Sequence, residues 1–228
     1  ISKRKAAEEA LRISHEKLEE RVEKRTRQLT KANRQLEILI QEKVATQARL
    51  TYLANYDELT ALPNRTLFYE RLHIRTVNCK RNKCSFALLF LDLDGFKLVN
   101  DNLWHDIGDE LLKQVAKRMT DCLRESDDIA RIGGDEFTVM ISLDTDEKST
   151  IEMVAHKIID AASAPYEISE HKIEIGTSIG ISIYPDDTDN QQTLIKFADE
   201  AMYEVKNKGK NNFIYYRDVS DISNSTAP

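Results

Sequence analysis

The sequence predicts an α/β fold of the α+β kind, a mixed sheet flanked by helices and preceded by one long helix. Three observations carry that prediction. Between residues 85 and 216, stretches with the apolar runs or two-residue alternation of strands interleave with stretches of helical spacing. Two strand-like pieces flank Gly133-Gly134 in "DIARIGGDEFTVMIS" (128–142), which requires an antiparallel hairpin within the sheet. Between Ala6 and Leu53 there is neither Gly nor Pro, and apolar residues return with a seven-residue beat.

In the first segment, Leu11, Leu18, Ala32 and Leu39 share one heptad position and Val22, Leu29 and Leu36 the other. Arg25 interrupts the first series, and His15 and Lys43 interrupt the second, so the seam is weaker than a structural zipper and tolerates more than one register. Past Leu36 the pattern moves to Ile40 and Val44, as a four-residue stutter produces. A helix of this length runs ~75 Å at 1.5 Å per residue. That is too far to lie along one small domain, so a parallel dimeric coiled coil is preferred to a single amphipathic helix. "NYDELTALPNR" then gathers turn residues, and Asn64 can cap a helix through Cys79. "SFALLFLDLD" (85–94) reads as a buried strand. Helical spacing returns over 106–124 through Leu111, Leu112, Val115, Met119 and Leu123. After the hairpin, Met153, Val154, Ile158 and Ile159 mark another helix. "HKIEIGTSIGISIYP" (171–185) is one long alternating strand, Leu194 to Val205 a helix, and "FIYY" (213–216) a short strand. Leu88, Phe90, Val139, Ile141 and Phe197 are expected in the core. The domains expected are a signalling and dimerisation helix (1–54), a globular domain (55–217) and a C-terminal tail (218–228).

The 228 residues, 41% of them hydrophobic, suffice for one well-buried domain and an appendage. No run approaches eighteen apolar residues, and Lys3, Arg4, Lys5, Glu8 and Glu9 do not form a signal core, so this segment is expected to be soluble, without membrane contact. Cys79, Cys84 and Cys122 form no C-x-x-C pair, and their odd number argues for free thiols in a reducing compartment. Residues 1–50 hold 13 Lys and Arg against 8 Asp and Glu, leaving 20 against 31 in the remainder. The globular part is therefore acidic, which argues against a nucleic-acid partner. A phosphorylated ligand there would need a bound cation to offset the repulsion.

Asp92 and Asp94 close a buried strand, while Asp135 and Glu136 stand at a hairpin tip. Carboxylates from two elements that converge repel each other unless a hard cation sits between them, and oxygen ligands suit Mg²⁺. Either cluster alone reads as solvated turn acids. Gly133 and Gly134 supply the backbone freedom of a tight hairpin and let a bulky, charged ligand approach.

"RIGGDEF", taken with "LDLDGFKLVND", "HDIGDELL", "DELTALPNR", "SIGIS" and "ADEAMYEVKNKGKN", resembles the GGDEF family of diguanylate cyclases over about residues 51–217. "ISKRKAAEEAL" resembles the exit of a PAS sensor domain, which implies a sensor upstream. The resemblance implies a five-stranded, mainly antiparallel sheet related to nucleotidyl cyclases and polymerase palms. It implies condensation of two GTP into cyclic di-GMP and two pyrophosphates by a homodimer, each domain holding one GTP. Asp92, the Leu93 carbonyl, Asp135 and Glu136 would hold Mg²⁺ or Mn²⁺, two ions per half-site, and Glu136 could instead take the proton of the attacking hydroxyl. The Phe96 amide, Lys97, Lys206 and Lys210 would meet phosphate. Asn100 and Asp109 would read guanine, with His105 near the nucleotide and Gly133 and Gly134 making room for it. Arg124 and Asp127 in "RESD" would form an inhibitory site for the cyclic di-GMP product. The setting implied is the bacterial cytoplasm, with any membrane tether upstream.

Four residues depart from the family pattern: Trp104 stands where glycine is usual, Lys210 replaces an arginine, Asn212 another basic residue, and Ala61 a glycine. None is an expected metal ligand. Read without the resemblance, Lys206, Lys208 and Lys210 are a solvated helix end complementing its dipole, and Asn100-Asp101 is a turn. Asp109 is then an N-terminal helix charge, His105 a capping or packing residue, and Arg124 and Asp127 an ordinary i,i+3 ion pair on a helix. The alternative function is a catalytically silent module that binds GTP or cyclic di-GMP.

Overall fold

A computed structural model describes residues 2–143 and 147–219, with side chains from 5 to 143 and 148 to 219. Most of the expected tail lies outside the described residues. The chain divides into two units, Ile1–Tyr52 and Leu53–Pro228. Helix α1 (Ser2–Asn55) carries the heptad residues, and Leu11, Leu18, Val22, Leu29, Leu36 and Leu39 are all exposed. Glu-Arg pairs such as Glu9-Arg12-Glu16 line its surface. No helix among the described residues is long and apolar enough to cross a membrane.

In the second unit, α2 (Arg65–Asn82) begins at Asn64, whose side chain accepts from the Leu67 amide at 3.1 Å. Strand β1 (Phe86–Asp94) follows, then α3 (Phe96–Leu103), α4 (His105–Asp121), β2 (Asp128–Gly133) and β3 (Glu136–Ser142). Helix α5 (Glu147–Ser163), β4 (Tyr166–Ile168), β5 (His171–Ile173), β6 (Gly176–Tyr184), α6 (Gln191–Asn207) and β7 (Phe213–Tyr215) complete it. The five-stranded sheet runs β2-β3-β1-β6-β7, antiparallel except for the β6-β7 pair. It is the mainly antiparallel sheet, flanked by helices, that the sequence predicts.

Strand β1 is central and covered on both faces, which is why it reads as an unbroken apolar run. Ala87, Leu89, Leu91 and Leu93 join the core beneath α4 and α5; Phe86, Leu88 and Phe90 join the one beneath α2 and α6. Asp92 continues the second series and so faces the α6 side. On that face Gly180 of β6 lets α6 approach closely, since a Cβ there would stand 1.9 Å from the Ala198 carbonyl.

Four expectations are corrected. Cys79 and Cys84 are not free thiols but a disulfide: Lys83 turns back in the left-handed conformation (φ 55°), the Cys84 amide reaches the Cys79 carbonyl, and the two Cα atoms lie 4.6 Å apart. Cys122 is the free cysteine among the described residues. Residues 171–185 are two strands, because β5 pairs with β4 in a separate hairpin and β6 pairs with β1. Ile173 and Ile175 are both buried, so the alternation runs on while the hydrogen-bond partner changes. Helical structure already begins at Phe96, with Asn100-Asp101 inside α3, and α4 stops at Asp121, short of the RESD segment. Phe197 is half-buried, stacked on Tyr216 with ring centroids 3.7 Å apart, whereas Leu88, Phe90, Val139 and Ile141 are core.

Candidate active site

The register of β1 against β3 sets Asp92 directly opposite Glu136, across one ladder step from the hairpin tip. The Leu93 amide donates to the Asp135 carbonyl at 3.3 Å, tying the tip to the strand end. Gly134 has φ +52°, the left-handed turn that glycine permits, and a Cβ on either Gly133 or Gly134 would meet only open space. Carboxylates from a strand terminus and a bend thus lie near enough for their charges to act on one another.

The electrostatics follow from that placement. Asp92 is 9% exposed. Burial pushes its carboxyl up, and the charges of Asp135 and Asp94 push further, against a hydrogen bond and charge from Lys206. Lys206 Nζ stands 2.8 Å from Asp92 Oδ2. The Glu136 carboxyl is also raised, first by burial and then by the charges of Asp92, Asp135 and Asp199. One ammonium therefore does not satisfy the acids. Carboxylate and carbonyl oxygens are the donor chemistry that suits a hard divalent cation, and Asp92, the Leu93 carbonyl, Asp135 and Glu136 are the groups that could supply it. Among the described residues no three His, Cys, Asp or Glu side chains are grouped closely enough to hold a metal ion between them.

Asp94, on the same side of β1 as Asp92, is spent on structure. Ser178 Oγ donates to both of its oxygens at 2.9 Å and the Asn211 amide donates to Oδ2 at 3.0 Å. Asn211 Oδ1 in turn accepts from the Thr177 amide and from Ser163 Oγ. These bonds tie the turn after α6, which carries Lys210, to the ends of β1 and β6. Lys210 is exposed with φ 66°, and Asn212 bonds within the backbone of the β6-β7 pair.

Arg131 holds the hairpin from behind. Its Nε and Nη2 donate to the Gly134 carbonyl at 3.0 and 2.8 Å, and Nη1 donates to Asp57 Oδ1 at 2.8 Å. The Arg131 amide donates to the Pro63 carbonyl at 2.9 Å. Burial works to raise Asp57, but hydrogen bonds from Thr60 and Arg131 outweigh it and hold the carboxyl below the usual range. The DELTALPNR turn is thereby fastened to the hairpin that presents Asp135. Neither Asp57 nor Arg131 was assigned a role from sequence. The cue was there, an arginine opening the hairpin and an aspartate in a distant turn, but their pairing is visible only in three dimensions.

The expected phosphate and base contacts are placed as follows. Phe96 opens α3 and is buried, Gly95 offers no side-chain cap to the first amides, and Lys97 is exposed. Asn100 leans from α3 against α4, where a Cβ on Gly108 would stand 1.8 Å from its Oδ1. His105 and Asp109 are exposed on the first turns of α4. Trp104, between the two helices, has φ 74° and ψ 151°, a region occupied almost only by glycine, at a cost of about 1–3 kcal/mol. Ala61 likewise has φ 59°. Both departures from a family glycine thus fall where the backbone wants one.

Arg124 and Asp127 lie in a turn before β2, not on a helix. Asp127 Oδ2 accepts from the Arg124 amide at 3.1 Å, and the Arg124 guanidinium is exposed, so the helical ion-pair alternative does not hold. Nearby, Arg71 and Arg75 of α2 both pair with Asp128 at 2.7 Å.

Known proteins resemble this chain over most of its length. The family described as "Diguanylate cyclase, GGDEF domain" matches residues 54–212. The bifunctional diguanylate cyclase/cyclic di-GMP phosphodiesterase MucR of Pseudomonas aeruginosa is 43% identical over 167 residues, which cover 73% of this chain and 24% of MucR. The cyclic di-GMP phosphodiesterase NbdA of the same species is 35% identical over 194 residues, 85% of this chain and 24% of NbdA. The chain thus spans about a quarter of the length of these curated relatives, at 24% of each. The solved GGDEF domain of TpbB (YfiN) from P. aeruginosa superposes with a TM-score of 0.67 at 36% identity, covering 71% of this chain and 94% of that domain. With the family matching most of the chain, the chain belongs to the GGDEF-domain family of diguanylate cyclases.

Proposed function

We propose that the protein condenses two GTP into cyclic di-GMP and two pyrophosphates as a homodimer, each globular domain presenting one GTP to the other. The observation that supports this reading is the approach of Asp92, Asp135 and Glu136 across the β1-β3 register, with burial and mutual repulsion raising Asp92 and Glu136. Asp92, the Leu93 carbonyl, Asp135 and Glu136 would hold two Mg²⁺ or Mn²⁺ ions, which when bound neutralise the triphosphate and stabilise the attacking and leaving oxygens.

The chain's own groups do the rest. Glu136, its carboxyl raised by burial, is suited to accept the proton of the attacking 3′-hydroxyl. Lys206, paired with Asp92 at 2.8 Å, would turn its ammonium to a phosphate oxygen once Asp92 binds a metal. Lys97 and Lys210, both exposed, together with the amides at the start of α3, would meet phosphate. Asn100 and Asp109 would accept from the N1 and N2 hydrogens of guanine, a pair adenine lacks. The exposed heptad seam of α1 would join two copies and raise the effective concentration of the half-sites, with a sensor upstream biasing its register. Arg124, exposed beside Asp127, would grip cyclic di-GMP as an inhibitor.

Trp104 favours the second reading, a silent binding module, because it places a large ring on a glycine-type backbone beside the base site. Incubating purified protein with GTP and Mg²⁺ and resolving the products by chromatography decides between them. Cyclic di-GMP and pyrophosphate are expected; intact GTP from a confirmed dimer leaves the silent module.

A further inference from the structure

Trp104 is the one tryptophan of the chain, and its ring is 83% exposed. An apolar ring so exposed, on a backbone that resists every side chain, contributes nothing to the packing of the domain. Among its chain neighbours Asp101, Asn102, His105 and Asp106 are polar or charged and exposed, while Leu103 and Ile107 pack against the core. What surrounds it is the base side of the site. Asn100 lies one helical turn before it and reaches across to Gly108, the Gly108 amide donates to the Trp104 carbonyl at 3.4 Å, and Asp109 follows directly. Along the chain, residues that can hydrogen-bond a purine edge therefore flank an exposed ring that can cover a purine face.

We infer that Trp104 is a base-stacking residue: its indole packs on the guanine ring of bound GTP whose edge Asn100 and Asp109 read. This rests on the reading of that pocket as the guanine site. Stacking tolerates any base, because every base has a π-face, whereas edge contacts discriminate. Trp104 therefore adds affinity while Asp109 supplies selectivity. A ring in this place also offsets what its backbone conformation costs, in the form of substrate binding instead of folding stability.

The test uses the chain's single tryptophan as its own probe. A non-hydrolysable GTP analogue with Mg²⁺ is titrated into the full chain by calorimetry and, in parallel, by tryptophan fluorescence. The wild type is expected to show quenching that saturates at the calorimetric Kd. W104G should bind the analogue about tenfold more weakly and W104F nearly as well as wild type. W104G should also melt at a higher temperature than wild type, so that weaker binding cannot be ascribed to misfolding. Calorimetric binding without a fluorescence change, or W104G binding as tightly as wild type, overturns the stacking role and leaves the guanine site standing. No heat and no quenching at millimolar nucleotide overturns both.

Discussion

The two sides of the site are built to different standards. On the acid side, Asp92, Asp135 and Glu136 are placed by a strand register, a backbone hydrogen bond from Leu93 and the Arg131 clamp, with Asp92 buried and the other two half-buried. On the base side, Trp104, His105 and Asp109 are exposed around a single inter-helix turn. Charge that must be concentrated needs a rigid, partly dry frame, because in water the same carboxylates would simply be solvated. A base slot needs only faces and edges. The acid side therefore stores repulsion that folding alone would avoid, while the proposed base side leaves Trp104 exposed, on a backbone suited to glycine.

Neutralising one acid should break this contrast most sharply. Glu136→Gln is expected to lower kcat by about 10²-fold or more, while raising thermal stability because one repelling charge is gone. Steady-state assay and melting of the same preparation check both. A loss of activity with lower stability would mean that Glu136 is a structural acid.

Removing the clamp attacks the frame itself. Arg131→Ala leaves the half-buried Asp57 carboxylate and the Gly134 carbonyl without their shared donor and should cost ~2 kcal/mol. That corresponds to a fall in Tm of about 4–8 °C. Mg²⁺-dependent GTP turnover should fall with it, since the tip carrying Asp135 loses its support.

The two groups of acids should answer pH with opposite signs. Asp57 is held below the ordinary carboxylate value, so its contribution is complete above ~pH 4 and is lost as pH falls through its lowered folded value. Asp92 and Glu136 are raised, so their ionisation costs stability at neutral pH, and the cost fades as pH falls through their raised values toward ~4. The stability gained in Glu136→Gln should thus shrink between pH 7 and ~4. The stability lost in Arg131→Ala should persist over that range and shrink only below it. Denaturant melts across pH measure both curves.

The smallest effect is expected at Ala61. With φ 59°, Ala61→Gly should relieve backbone strain and gain ~0.5 kcal/mol, with turnover unchanged. A loss of stability would show that alanine is the better residue in that turn.

Most of the sheet was legible in advance because its signals are local. The apolar run of β1, the glycines of the hairpin and the helical spacing of α4, α5 and α6 each need only neighbouring residues to be read. What escaped depends on partners far along the chain. Ile173 and Ile175 keep one alternation across two strands that pair differently. Cys79 and Cys84 meet because a residue between them turns left-handed, a conformation no spacing rule assigns to a lysine. In the site, the acids were legible as a motif, but not the engagement of Lys206 by Asp92, the structural use of Asp94 or the bridge from Asp57 through Arg131 to Gly134.

In the proposed mechanism the paired acids repel until a divalent cation joins them. The most direct measurement is the melting temperature of wild type and Glu136→Gln against Mg²⁺ concentration. A saturable rise in Tm is predicted for the wild type, with a smaller rise from a higher starting point for the variant. A wild-type Tm that stays flat through millimolar Mg²⁺, or identical rises in both proteins, would contradict it.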